Sequence, residues 1–201
     1  MYEYLEQIMH QSITERPYDS VEKLLLGCRN AFELTVIEIQ KQEITGERGN
    51  SKCIPKDSNS KLAKTLNDCG VDGIEYKNGV ADLSPTSKGE VQIEHMVGGE
   101  GKMGTKARQW NFGQADNAMA TELNADPSAA KSLGLSPKNG NSFTSSDIKT
   151  YRKNNDLTWH ELNDTKTMQL VPTEVNAKFT HLGGVGEINA GAYSPGGFAA
   201  Q

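Results

Sequence analysis

Long apolar runs are absent from this chain of 201 residues. No segment approaches the roughly 18–20 consecutive apolar residues that a membrane-crossing helix needs, so a membrane partner is not expected. The N-terminus lacks the basic-then-apolar order of a signal peptide. Export would therefore depend on a separate signal or a larger parent protein. Cysteines number three, Cys28, Cys53 and Cys69. An odd count with no Cys-x-x-Cys pair excludes a zinc knuckle and predicts reduced, partly buried thiols. Aromatic residues make up 6% and hydrophobic residues 35% of the chain, while glycine occurs 20 times. That balance allows one modest core with much loop, in one domain or one domain plus an appendage. No internal repeat is present.

Positive charge is also short. The net charge is −5, from 21 Lys and Arg against 26 Asp and Glu. Such a surplus weakens nonspecific attraction to nucleic acid. It is not spread evenly. Residues 1–45 contain 4 basic and 8 acidic side chains, residues 46–145 contain 12 of each, and residues 146–201 contain 5 and 6. The acidity is concentrated at the N-terminus.

The pattern along the chain predicts an α+β protein. Residues 2–12 read as a short helix, and Asp19-Ser20-Val21-Glu22 as a capping-box start. From Val21 to about Lys41, Leu24, Leu25, Cys28, Phe32, Val36 and Ile39 recur at helical spacing. Residues 45–50 form a turn-rich break and a boundary. Leu62, Ala63 and Leu66 predict a short helix stopped by Gly70. Residues 73–80 read as a strand entering the Asn78-Gly79 turn, followed by a short strand at 91–93. Residues 97–106 lack apolar anchors and read as a mobile loop. Residues 112–123 are helical, with Ala115, Met119 and Leu123 on one face, and Ser145 or Ser146 is expected to cap a helix through Ile148 and Tyr151. The expected organisation is an N-terminal helical segment (1–44), an accessory α+β region (45–145) and a C-terminal unit (146–201).

That last unit holds two of the four histidines. Leu157-Thr158-Trp159-His160 is a β-prone run ending at a histidine. Asn163-Asp164-Thr165-Lys166 has turn chemistry, with Asp164 read as a turn former. Met168-Gln169-Leu170-Val171 is β-prone and ends at Pro172. Two such runs across a short polar turn make a hairpin. Proline cannot continue the ladder but can open a helix, here through about Phe179. Asn176 lies on that helix and His181 at or just past its end, before Gly183-Gly184. Imidazole, amide oxygen and carboxylate are ligands suited to zinc, magnesium or manganese. A metal so held can stabilise charge on a phosphodiester. Trp159 is expected in the core, and His95 and His10 as structural or surface residues.

These residues resemble the HNH/endonuclease VII superfamily of ββα-metal nucleases, in the branch named for Trp-His-His. The resemblance rests on Thr158-Trp159-His160, on Met168 to Pro172 and on His181-Leu182-Gly183-Gly184. It extends upstream through Gly46-Glu47-Arg48-Gly49, residues 73–79, Leu83-Ser84-Pro85 and Asn111 to Asp116. It covers about residues 45–190 and is similar to the C-terminal toxin domains of bacterial polymorphic toxins. What it implies is a metal-dependent nuclease, with DNA ahead of RNA as substrate. One divalent ion (Mg, Mn or Zn) would serve it. Such domains are delivered into the cytoplasm of a rival bacterial cell and neutralised by a cognate immunity protein. A nuclease that meets phosphate through a metal also needs fewer lysines than a sequence reader.

The chain departs from the pattern twice. Glu161 stands where the family has a second histidine, and Asn176 where it has a helix histidine. Two assignments follow. His160 binds metal and Glu161 is the base, or His160 is the base and Glu161, Asn176 and His181 hold the metal. A base working near neutral pH favours His160. Gln169 is expected to orient the base, and Arg48 to reach a phosphate. Adjacent strand residues face opposite ways, so His160 and Glu161 share a site only if the strand ends or bulges there. A free-standing nuclease of a phage, mobile element or defence system, and a binding module that has lost catalysis, are the alternatives.

Overall fold

The computed structural model describes residues 41–47, 50–99, 101–138, 140–179 and 183–191. The helices expected at 2–12 and 21–41, with Cys28 and His10, lie outside these residues apart from Lys41, which is in a turn. The chain divides into two compact units, Met1–Glu43 and Ile44–Gln201. Its described part is mixed helix and sheet, with two antiparallel sheets and six helices. No helix among the described residues is long and apolar enough to cross a membrane.

Strands β1 (Gln42–Glu47), β2 (Asn50–Pro55), β3 (Ile74–Lys77) and β4 (Val80–Asp82) form one sheet in that order. The expected break at 45–50 is instead the meeting of β1 and β2. Gly46, at φ +101°, is needed there because a side chain would run into the Asn50 carbonyl oxygen. Between β2 and β3 lies α1 (Lys61–Asp68), where the Ser60 hydroxyl accepts the Ala63 N–H at 3.1 Å and Leu62, Ala63 and Leu66 are buried. Strands β3 and β4 join through Asn78 and Gly79, both at positive φ (52° and 80°), as a tight hairpin turn with right-handed strand twist requires.

A turn of 3-10 helix at Ser84–Thr86 leads to β5 (Glu90–Gln92). Helix α2 follows at Gly101–Ala125, then α3 (Pro127–Ser132) and α4 (Ser145–Asn154). The loop expected at 97–106 is therefore half helix. Residues 97–99 before it are pinned by two asparagines. Asn111 accepts the Val97 N–H at 2.9 Å and donates to the Val97 carbonyl at 3.1 Å, while Asn189 does the same for Gly99 at 2.8 and 3.0 Å. Hydropathy carries no trace of such polar anchoring. The cap of α4 is Thr144 rather than Ser145 or Ser146. Its hydroxyl accepts the Asp147 N–H at 3.3 Å while the Asp147 carboxylate accepts the Thr144 N–H at 2.9 Å, so two orphan donors are satisfied reciprocally.

The hairpin expected near the C-terminus is present as β6 (Leu157–Glu161) and β7 (Thr167–Pro172). The Asp164 carboxylate closes its turn by accepting the Lys166 and Thr167 N–H groups at 3.0 and 2.8 Å. Helix α5 (Thr173–Lys178) starts directly from Pro172, and α6 (Gly184–Asn189) follows. Strand β5 pairs with β7, giving a second sheet ordered β5-β7-β6.

Side-chain alternation gives this sheet two covered faces. Leu157, Trp159, Met168, Leu170 and Val91 pack with Ala115, Met119 and Leu123 of α2 and Ile148 of α4. On the other face Val171 packs with Val175 and Phe179, Leu66 of α1, and Ile74 and Leu83. Trp159 is 1% exposed, and its indole N–H donates to Asp116 Oδ1 at 2.8 Å. Arg152 grips the same carboxylate at 2.6 and 2.8 Å. Cys53 is buried and Cys69 partly so, both as free thiols. Asp116→Ala strands a buried guanidinium and should destabilise the fold by about 3–5 kcal/mol. Adding Arg152→Met to it should recover much of the loss, which paired urea titrations of the single and double variants measure.

Candidate active site

Three strands place His160, Gln169 and Glu90 in one row. His160 pairs with Gln169 across β6 and β7, and Gln169 pairs with Glu90 across β7 and β5. Residues paired this way point to the same face. His160 and Gln169 are 4% and 3% exposed. Helix α5 closes on the row and sets Asn176 Oδ1 3.1 Å from His160 Nδ1. An amide oxygen only accepts, so in this contact the ring Nδ1 is the donor.

Gln169 was expected to orient the base. In the structure its amide nitrogen donates to Glu90 Oε2 at 2.8 Å and to Ser84 Oγ at 3.0 Å, while Asn176 meets the imidazole. Register brings both His160 and Glu90 opposite Gln169, and the Glu90 carboxylate is the stronger acceptor for the amide N–H.

Glu161 takes the opposite face. Strand β6 reaches Glu161 without a bulge and ends there, with Glu161 still in register opposite Met168. It lies on the Trp159 side, over α2, where Asn111 Nδ2 donates to its Oε1 at 2.8 Å. Burial pushes its carboxyl above the usual carboxylate range, and the Asn111 amide and the Arg108 charge oppose that rise. His160 and Glu161 thus face α5 and α2 respectively, and a ligand set drawing Glu161 toward Asn176 does not match this arrangement. His181 and Arg48 lie outside the described residues. Asp164 acts in its turn, and His95 is exposed, with its carbonyl accepting from Gln114 at 2.9 Å.

Among the described residues no three His, Cys, Asp or Glu side chains are grouped to hold a metal. What one face does offer is an imidazole and an amide oxygen, on His160 and Asn176. An imidazole suits borderline zinc, and an amide oxygen suits the harder magnesium or manganese, so Asn176 is the donor left for a divalent ion where His160 acts as the base. Glu90, Ser84 and Asn111 were missed as functional neighbours. Glu90 and Ser84 reach the row only through the pairing of β5 with β7, a contact across more than seventy residues for which local pattern gives no signal.

A family model described as the DNase/tRNase domain of colicin-like bacteriocin matches residues 73–183, more than half of the chain. No curated protein and no solved structure matches it.

Asn111 is fully buried and satisfies Val97 and Glu161 at once. Asn111→Ala leaves those groups without partners and should cost about 2–3 kcal/mol, read as a fall in the urea midpoint. Asn111→Asp, which faces Glu161 with a second carboxylate, should cost more.

Proposed function

The chain belongs to the DNase/tRNase domain family of colicin-like bacteriocins, and from that premise we propose that it is a metal-dependent endonuclease of the HNH type that cuts DNA inside a rival bacterial cell. The family makes it a nuclease toxin domain acting on nucleic acid. The observation that supports the finer reading is His160 on the hairpin with its Nδ1 proton directed at Asn176. This holds Nε2 as the proton acceptor.

The reaction is attack of water on phosphorus with cleavage of the P–O bond to the leaving sugar oxygen. His160 Nε2 takes the proton from water as the new P–O bond forms. Asn176 fixes the tautomer and the tilt of the ring, and favours the imidazolium as the proton arrives. A divalent ion, held by Asn176 and His181, would supply charge stabilisation at the phosphoryl and leaving oxygens. Glu161 then serves structure through Asn111 instead of completing a ligand set. Attack by water needs no 2′-hydroxyl, which is why DNA is proposed. The toxin role brings with it a cognate immunity protein as partner and delivery from outside the target cell.

Plasmid and total RNA digested in parallel with magnesium, manganese or zinc test this reading. Cleavage of plasmid that stops with chelator is the expected result. His160→Ala should lower kcat roughly 10²- to 10⁴-fold, the share a general base supplies. Asn176→Ala removes both the orienting partner of His160 and a metal donor, and should lower it at least roughly 10- to 100-fold, the cost of an orienting partner alone. Cleavage that survives chelation would remove the metal. No cleavage of either polymer under any condition would leave a binding module in place of the enzyme.

A further inference from the structure

We propose that the exposed strip Met103–Lys106–Trp110 of α2 is a nucleic-acid contact, where Trp110 stacks on an unpaired base of the bound strand. This rests on the nuclease reading and adds to it a surface that holds the strand.

Met103 and Trp110 are 60% and 62% exposed. They are two of the four exposed large hydrophobic residues among those described, the others being Ile44 and Val80. Positions 103, 106 and 110 recur at helical spacing, so they form one stripe. The opposite face of the same helix, with Ala107, Asn111, Ala115 and Met119, is buried. The strip therefore faces away from the core. Scattered exposed apolar residues need no explanation, but two on one stripe with a lysine between them form a patch.

Charge selects the occupant. Residues 101–115 carry Lys102, Lys106 and Arg108 and no acidic residue, in a chain whose net charge is −5. A local basic segment with an exposed indole suits a phosphate backbone and a base. Base–aromatic stacking tolerates any sequence because every base has a π-face. A base paired within a duplex offers only its edges, so the contact selects single-stranded or opened segments.

The strip lies on the α2 side of the sheet, opposite the face on which His160 meets Asn176, yet it is close along the backbone. Trp110 precedes Asn111, Asn111 bonds Glu161, and Glu161 follows His160. Summed over that path, the indole's backbone lies within about 20 Å of the His160 backbone, on the order of six base steps along a strand.

The test uses the full chain carrying His160→Ala, which holds substrate uncut. The only other tryptophan, Trp159, is buried, so a change in emission on adding oligonucleotide is assigned to Trp110, and the affinities of all variants are read from the anisotropy of a labelled oligonucleotide. A single-stranded oligonucleotide is expected to quench that emission. Adding Trp110→Ala should weaken binding roughly five- to 150-fold, the range given by loss of one stack, and Trp110→Phe should recover most of it. Lys106→Ala should reduce the salt slope by about 0.7. Both positions are exposed, so thermal melts should match the parent. Equal affinity of the parent and Trp110→Ala chains for the oligonucleotide would overturn the proposal while plasmid cleavage by the wild type kept the nuclease reading. A change in sedimentation of Trp110→Ala alongside that equal affinity would give the strip to a protein occupant. A wild-type chain that neither cuts nor binds nucleic acid would overturn both.

Discussion

One buried carboxylate ties α2, α4 and β6 together. Asp116 accepts three hydrogen bonds, two from the Arg152 guanidinium and one from the Trp159 indole. The three residues come from α2, α4 and β6. A charge taken out of water is costly unless its lone pairs are filled and its countercharge is close, and here both conditions hold. Phe112 adds to the lock. Its ring lies 5.2 Å from the Arg152 guanidinium and 5.0 Å from that of Arg108. With Trp159 fixed in place, the register of β6 is fixed. A one-residue slip would exchange every side chain between the faces and turn His160 away from Asn176.

That register also separates the two candidate catalytic residues. His160 and Glu161 are neighbours in sequence, yet one meets α5 and the other α2. The carboxylate opposite α2 is partly desolvated and held by Asn111, which also pins Val97. Glu161 therefore joins the strand to the segment that precedes α2. On the other face the row from His160 to Gln169 to Glu90 runs across all three strands. Within that row Gln169 is linked side chain to side chain with Glu90, while His160 is linked to Asn176 of α5.

Much of this was legible in the sequence because it is local. The hairpin, its Asp164 turn, the helix after Pro172 and the Asn78-Gly79 turn follow from short patterns of alternation and turn chemistry. The core role of Trp159 and the proximity of Asn176 to His160 follow from the same patterns. What escaped notice was non-local. Strand β5 belongs with the hairpin only because it pairs with β7, so Glu90 and Ser84 gave no sign of meeting Gln169. The helical start at Gly101 was hidden by glycines that disfavour helix. The contacts that order the segment before it come from Asn111 and Asn189, residues 14 and 90 positions away from the groups they bind. Thr144 lost to its serine neighbours as expected cap because all three can serve, and only the reciprocal bond to Asp147 distinguishes them.

Helix α2 is where these threads meet. One side of it supplies Asp116 to the lock, another supplies Asn111 to Glu161, and its outward stripe carries Lys106 and Trp110. A single rigid element of 25 residues thus relates the strand that bears His160 to a basic, aromatic surface. Precision at a catalytic centre depends on supports that are themselves held. Hydrogen bonds donated by a fully buried asparagine and accepted by a satisfied aspartate provide that support without occupying the face on which His160 and Asn176 meet. The buried charge of Asp116 and the Asn111–Glu161 bond lie on the α2 side, the His160–Asn176 pair lies on the α5 side, and the strand between them relates the position of one to the other.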